Sequence, residues 1–321
     1  MKAQSNCAVG CTVLVWLAGI WLAATDTAPA WARDIYVNNE SGDDRNDGLA
    51  QTNVAPGRGP FRTIRRALAA ARAGDHIHVA ATGTPYHESI TLQAGRHSGV
   101  ASRPFVLEGN GAILDGSQPV PPDAWEGVGP SLFRFRSETK STHVLFLDGI
   151  PATRRRVPPG SGAPPELQPL EWCLFDGHVY FRTEPGKLPW AYNLSHTVLP
   201  VGITLYEVRH AIVRDFVVQG FALDGVNAHD GVTSVSLVGL TCRGNGRSGV
   251  SVGGASRVVI EACLLGDNAE AQLRTEGFSH TRLVNCDLID HPAAPAIDRQ
   301  GGEVIQEMRT VRAVSAEAAP R

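Results

Sequence analysis

Lysine is almost missing from this chain. Beyond the first 32 residues only Lys140 and Lys187 occur, and neither lies in the repetitive part of the sequence. Cationic chemistry there falls to arginine or histidine. Charge of one sign is never concentrated, and the net charge over 321 residues is −3. That balance argues against a nucleic-acid partner and against a helix lying on a membrane surface. No Cys-x-x-Cys pair exists among the six cysteines, so zinc is not indicated. The one long apolar run, Cys7 to Ala24, follows the positive Lys2 and precedes Ala30-Trp31-Ala32, an A-x-A cleavage site before Arg33. Residues 1–32 are therefore expected to be a signal peptide, leaving 289 residues (321 minus 32). The run is at the edge of transmembrane length, which makes an uncleaved anchor the alternative. After cleavage no membrane segment is expected.

What is present is a repeat. From Arg209 to Arg299 the same residue types recur in columns: Val213, Leu237, Ile260 and Leu283 at spacings of 24, 23 and 23 residues. Phe216, Leu240, Cys263 and Cys286 form a second column, Val218, Cys242, Leu265 and Leu288 a third, and Val226, Val250 and Leu273 a fourth. Self-similarity at a period of about 20 to 50 residues marks a stacked-repeat architecture. Within each repeat apolar and polar residues alternate, the period of a strand. Turn-forming residues interrupt at fixed places: Gly239, Ala262 and Asn285 at one corner; Gly244-Asn245, Asp267-Asn268 and Asp290-His291 at the next. Short strands joined by bends and restarting about every 23 residues describe a parallel β-helix. Leucine-rich repeats share the period, but their helical half and Asn/Leu consensus are missing.

Residues 33–116 precede these coils. DIYVNNESGDDRNDGL reads as a strand and polar turn, and GPFRTIRRALAAARAGD as an amphipathic helix capped by Thr63 and ended by Gly74. Ile64, Ala67, Leu68 and Ala71 share its apolar face, which suits it to close the exposed end of a solenoid. HIHVAATGTPYHESITL and RPFVLEGNGAILDG read as first coils. Residues 117–200 are proline-rich, with Asp-Gly between apolar strands in VLFLDGIPA and CLFDGHVYFR, and are expected to be a β-rich insertion. Residues 201–300 carry the coils. Residues 301–321 keep no repeat and are expected to be a poor cap or a tail.

The succession YVNNESGDDRNDGL, GPFRTIRRAL, AGDHIHVAATGTPYHESITL and SRPFVLEGNGAILDGS resembles the opening of secreted right-handed parallel β-helix proteins, the pectate-lyase-like group of polysaccharide lyases and glycoside hydrolases. AWEGVGPSLFRF, VLFLDGIPATRRRVP and LEWCLFDGHVYFRTEPGKLP resemble an insertion found in β-helix glycosidases. The resemblance implies an all-β fold, a right-handed parallel β-helix solenoid with an N-terminal capping helix and a β-rich insertion. It leaves activity open, because one fold hosts both elimination and hydrolysis.

Outward side chains of a β-helix stack one coil above another, so function builds from outward columns and adjoining loops. If GVTSVSLVG is the first strand of its coil, as the resemblance implies, Ser236, Val259 and Arg282 form one such column and Arg214, Val238, Glu261 and Val284 the next. Loops add His229, Asp230, Arg257, Glu276 and His280. Elimination needs a base plus a cation to neutralise a uronate carboxylate. The resemblance to pectate lyases makes Arg257, Arg274 or Arg282 a possible base. Hydrolysis needs paired carboxylates, which Glu261 with Asp230 or Glu276 would provide. The candidate site is thus Asp230, Arg257, Glu261, Arg274, Glu276, His280 and Arg282, set against a plainly solvated, ion-paired face. The loop holding Asp43, Asp44 and Asp47 has oxygen ligands suited to Ca²⁺, or forms an Asx turn seating the helix. Cys263 and Cys286 are neighbours in one inward column, as buried thiols or a disulfide. The expected protein is a secreted or periplasmic monomer acting on a polysaccharide or oligosaccharide; the competing reading is a non-catalytic carbohydrate-binding or structural solenoid.

Overall fold

In the computed structural model, which describes residues 32–137, 142–290 and 294–307, the apolar columns are lines of side chains stacked rung on rung. Val213 lies opposite Leu237, Leu237 opposite Ile260, and Ile260 opposite Leu283 in parallel register. The line runs back through Leu107 and Ile77 to Ile35. It belongs to a first face of eight strands: Asp34–Val37, His76–Val79, Phe105–Asp115, Arg209–Gln219, Thr233–Val238, Arg257–Glu261, His280–Val284 and Glu303–Glu307. Val218, Cys242, Leu265 and Leu288 continue the same coils through the short strands Thr241–Arg243, Leu264–Gly266 and Asp287–Leu288. A second face of six strands runs from Ile90–Gln93 to Ile297–Arg299, and its inward line is Ile90, Ile203, Val226, Val250, Leu273 and Ile297. One continuous core fills the space between the faces. The architecture is a right-handed parallel β-helix, and the signal peptide expected at 1–32 lies almost wholly outside the described residues.

The two corners work differently. At the first, Asp215, Gly239, Ala262 and Asn285 all adopt φ between 52 and 62°. This is the left-handed bend that Gly, Asn and Asp tolerate best. At the second, Gly244 and Asp267 take the left-handed conformation while Asn245 and Asn268 turn inward. Both asparagines are essentially inaccessible, and Asn245 Nδ2 donates to Asn268 Oδ1 at 2.9 Å. Asn268 Nδ2 donates in turn to the carbonyls of Cys242 and Gly266 and to Gln272 Oε1. The sequence pattern suggested asparagines bonding their own backbone; Asn268 does so at Gly266, and the two asparagines also form a ladder between coils. The third corner pair, Asp290-His291, is only half described, and on the described residues Gln272 completes the ladder.

The helix spans Ile64–Ala70, three residues short of the expected Ala73, with Ile64, Ala67 and Leu68 in the main core. Thr63 Oγ1 accepts from the Arg66 N–H, as its position predicts. Glu88, from the next coil, accepts from the N–H groups of Ile64 and Arg65, two more of the helix's unpaired donors. Asp44 accepts from the N–H groups of Arg62 and Thr63 and from the Thr63 hydroxyl. Asp43 is paired with Arg45, and Asp47 accepts from Leu49 N–H and Gly59 N–H. The loop carboxylates are thus occupied by amides and arginine. Among the described residues these three carboxylates do not bring one oxygen each within 4.8 Å of the others, and their bonds to backbone N–H groups are those of an Asx turn.

The insertion leaves the solenoid at Ser117 and returns at Thr197, with two four-stranded antiparallel sheets. Both expected hairpins form, with Asp148-Gly149 and Asp176-Gly177 in the paired left-handed conformations of a two-residue turn. Its own core gathers Val120, Phe135, Leu145, Trp172, Val179, Phe181 and Leu194. Burial, and then the neighbouring His143, push the His196 imidazole down to about 4 from an ordinary 6.5. The folded state thus prefers the neutral ring: its stabilisation is complete above about pH 6.5 and is lost as pH falls through 4. We expect acidification from pH 7 to 4 to remove roughly 3 kcal/mol through this group. His196→Leu should flatten that part of the stability profile in urea titrations at several pH values.

Residues from 301 were expected to lie outside the repeats, yet Glu303–Glu307 pairs in register with His280–Val284 and adds a rung. The apolar signature fades there because Gln306 occupies the line of Leu283 on a rung described with no successor. Cys242, Cys263 and Cys286 are thiols along the core, and no disulfide joins Cys263 to Cys286.

Candidate functional site

The register of the first face fixes two outward columns across its eight rungs, a surface roughly 34 Å long at about 4.8 Å per rung. One carries Asp34, His76, Val106, Ile212, Ser236, Val259, Arg282 and Ile305. The other carries Tyr36, His78, Glu108, Arg214, Val238, Glu261, Val284 and Glu307. Apolar residues separate a polar cluster at the N-terminal end from a looser polar groove at the C-terminal end.

At the N-terminal end five ionisable side chains converge from four successive rungs. His76 and His78 are two apart on one strand, so both rings leave the same face. Their centroids are 3.7 Å apart, and Tyr36 stacks on His78 at 5.2 Å. Glu108, on the next rung, has only 14% of its side chain exposed. Its Oε2 lies 3.0 Å from His76 Nε2 and 3.0 Å from His78 Nδ1, while its Oε1 accepts from Arg214 at 2.7 Å. A carboxylate can only accept, so these contacts assign hydrogens to His76 Nε2 and His78 Nδ1. The other edges of the rings face Asp34, whose Oδ1 is 2.9 Å from His78 Nε2 and 3.9 Å from His76 Nδ1. Burial, and then the neighbouring His78, hold the His76 pKa below its ordinary value.

The residues singled out from the sequence fall into separate groups. Arg257, His280 and Arg282 line the C-terminal groove together with Glu303. His280 pairs with Glu303 at 3.1 Å and Arg282 with Glu307 at 2.6 Å, each with the rung beside it. Glu261 stands four residues along the strand from Arg257, in the outward column of Val238 and Val284. Arg274 and Glu276 belong to the second face, where Arg274 pairs with Asp298 at 2.6 Å and approaches Glu276 at 3.6 Å. Asp230 pairs with His229 at 2.8 Å at the end of another second-face strand. The proposed carboxylate pairs of Glu261 with Asp230 or Glu276 are therefore divided between faces. Because the Arg282 pair is exposed, we expect Arg282→Ala to leave the urea midpoint unchanged within error.

The sequence reading passed over Asp34, His76, His78 and Glu108. A signal was there: His-Ile-His at strand spacing sets two imidazoles on one face. The deciding contact with Glu108 spans 30 residues and needed the register.

A second polar recess lies where the insertion meets the solenoid corner, lined by Arg154, Arg156, Trp172, Asp267 and Ala269. Arg154 rests over the Trp172 ring at 5.1 Å, and burial pulls its pKa down.

No protein-family model matches this chain, and no curated protein does. Solved structures do resemble it. A glycoside hydrolase superposes with a TM-score of 0.57 at 13% identity, over 79% of this chain and 73% of that one. XylC, solved with xylose, gives 0.45 at 12% identity over 85% and 70%, and the pectate lyase Pel9A gives 0.41 at 11% over 86% and 62%. The first of these, with the parallel register described above, defines the class of this chain as a right-handed parallel β-helix protein. At such identities the likeness is one of fold.

Proposed function

We propose that this is an exported, carbohydrate-active β-helix protein that cleaves a polysaccharide along the outer face of its first sheet. The cluster of Asp34, His76, His78, Glu108 and Arg214 is its reacting centre. The observation that carries this reading is the shared acceptor: one half-enclosed carboxylate oxygen takes hydrogens from two imidazoles while an arginine holds the other oxygen. That arrangement fixes the orientation of both rings and turns their opposite edges toward Asp34 on the solvent side, where His76 Nδ1 is the less engaged nitrogen. A ring so oriented, with its pKa held low, is neutral near pH 7, the state required of a base. The open edge delivers a base either to a proton beside a uronate carboxylate or to a water molecule. The first route is elimination and the second hydrolysis. The apolar leader and cleavage site support export.

A non-catalytic carbohydrate binder is the second reading. It is favoured by the C-terminal groove, whose charges are matched one rung to the next in His280–Glu303 and Arg282–Glu307. The test is a screen of the purified mature protein on uronate-containing and neutral polysaccharides. Ultraviolet absorbance reports unsaturated ends, and a reducing-sugar assay reports all cleavage. Unsaturated product identifies elimination, and reducing ends without unsaturation identify hydrolysis. Silence from a folded sample across the panel selects the binder.

A further inference from the structure

We infer that Asp34, His76 and His78 form a binding site for a divalent transition-metal ion of the zinc type, on the open edge of the imidazole pair. Its binding does not rest on the function proposed above, and an ion held there takes up the ring nitrogens which that function uses as base, so the base role belongs to the metal-free protein. One donor atom from each of the three residues lies within 4.8 Å of the others. Tetrahedral coordination with bonds of about 2.0–2.1 Å sets donor atoms about 3.4 Å apart. The spacings of 2.9 and 3.9 Å from Asp34 Oδ1 to the two rings straddle that value. The backbone presets this arrangement. His76 and His78 share a face by strand alternation, and Asp34 is the register partner of His76 on the rung below.

The hydrogen-bond inventory points the same way. Glu108 accepts from His76 Nε2 and His78 Nδ1, so His76 Nδ1 and His78 Nε2 are the ring nitrogens left on the side of Asp34 Oδ1. A single dication answers all three donors together. Glu108 then has the place usual for the outer carboxylate of a histidine-ligated metal, accepting the remaining ring N–H groups and fixing ring orientation. Arg214 holds Glu108 from behind.

Two imidazole nitrogens and one carboxylate select zinc, cobalt, nickel or copper over calcium and magnesium, which take oxygen ligands. Three protein ligands leave a fourth position open, and Asp34, with 58% of its side chain exposed, lies on the solvent side. That open position is the mark of a metal that meets water or a substrate oxygen and not of a structural zinc. Cysteine spacing gave no hint of it, because no ligand is a cysteine.

The experiment uses tag-free mature protein, dialysed against a chelator and then against buffer, and titrated with Zn²⁺ by calorimetry and with Co²⁺ by visible absorbance. One equivalent should bind with micromolar or tighter affinity and raise the thermal midpoint. Co²⁺ should show a four- or five-coordinate visible band. His76→Ala and Asp34→Ala should each weaken binding at least 10-fold, and Glu108→Gln about 10–100-fold, with unchanged circular dichroism. The site is overturned if the folded protein binds no stoichiometric ion, or if binding is indifferent to His76→Ala and Asp34→Ala. Stoichiometric binding that these variants abolish upholds the site even if no polysaccharide is cleaved. Cleavage without stoichiometric binding overturns it and leaves the proposed function standing.

Discussion

Asn268→Ala should destabilise the protein by about 3–5 kcal/mol, among the largest losses available to a single polar substitution here. Asn268 has 2% of its surface exposed and sits in the middle of the ladder. Its Oδ1 accepts from Asn245 N–H and Asn245 Nδ2, and its Nδ2 serves two carbonyls and Gln272. Alanine removes both roles together. The Asn245 N–H loses its side-chain acceptor in a place that water does not reach, while Gln272 Oε1 keeps the backbone N–H of residue 268. An orphaned donor costs about 1–3 kcal/mol, to which the lost bonds to the Cys242 and Gly266 carbonyls add. Asn245 Nδ2 keeps its bond to the Val218 carbonyl, which limits the damage. Urea denaturation measures the effect. A midpoint indistinguishable from wild type would mean that the ladder does not join the coils energetically.

That ladder also shows how far the sequence could be read. Columns such as Val213, Leu237, Ile260 and Leu283 are legible because every coil buries the same position, and burial selects the same chemistry each time. The hairpins at Asp148-Gly149 and Asp176-Gly177 are legible because only a few residues tolerate those backbone angles. Asn245 and Asn268 were seen as a repeating corner, but their direction was not. An asparagine suits both a self-bonded bend and an inward ladder, and only packing decides between them. Outward positions are under no shared burial constraint, so they leave no column to find. Arg257, His280 and Arg282 were brought to one groove, whereas Glu261, Asp230 and Glu276 were scattered. The cluster at His76 and His78 escaped notice because Glu108 and Asp34 come from other coils and share no sequence pattern with it.

Glu108→Gln should lower the rate of cleavage by about 10²–10⁴-fold with little change in stability. Glutamine is nearly isosteric, but its amide cannot do what the carboxylate does. One carboxylate oxygen accepts from both rings, and the other from Arg214. In glutamine one of these positions becomes an NH₂ group. Turned toward the rings, it faces N–H groups and drives the imidazoles into the opposite tautomer, with hydrogens on the working edge. Turned toward Arg214, it faces a guanidinium donor and releases it. The first orientation costs the bare nitrogen edges, and the second costs the charge pair that holds the acceptor in place. A wrong tautomer damages catalysis far more than it damages folding. The measurement is kcat and KM on whichever polysaccharide the screen identifies, with the urea midpoint as a control for folding. A loss confined to KM would make Glu108 a substrate-binding group and remove it from the reacting centre.

The most direct measurement compares the two ends of the first face on that same polysaccharide. Rates would be taken for His76→Ala and Glu108→Gln at the N-terminal cluster, and for Arg257→Ala and Arg282→Ala in the C-terminal groove. A reacting centre at the cluster predicts that the first pair lose at least 100-fold in kcat while the second pair keep kcat and change KM alone. Full activity in His76→Ala and Glu108→Gln, with kcat abolished by Arg257→Ala or Arg282→Ala, would contradict the account and move the chemistry to the groove.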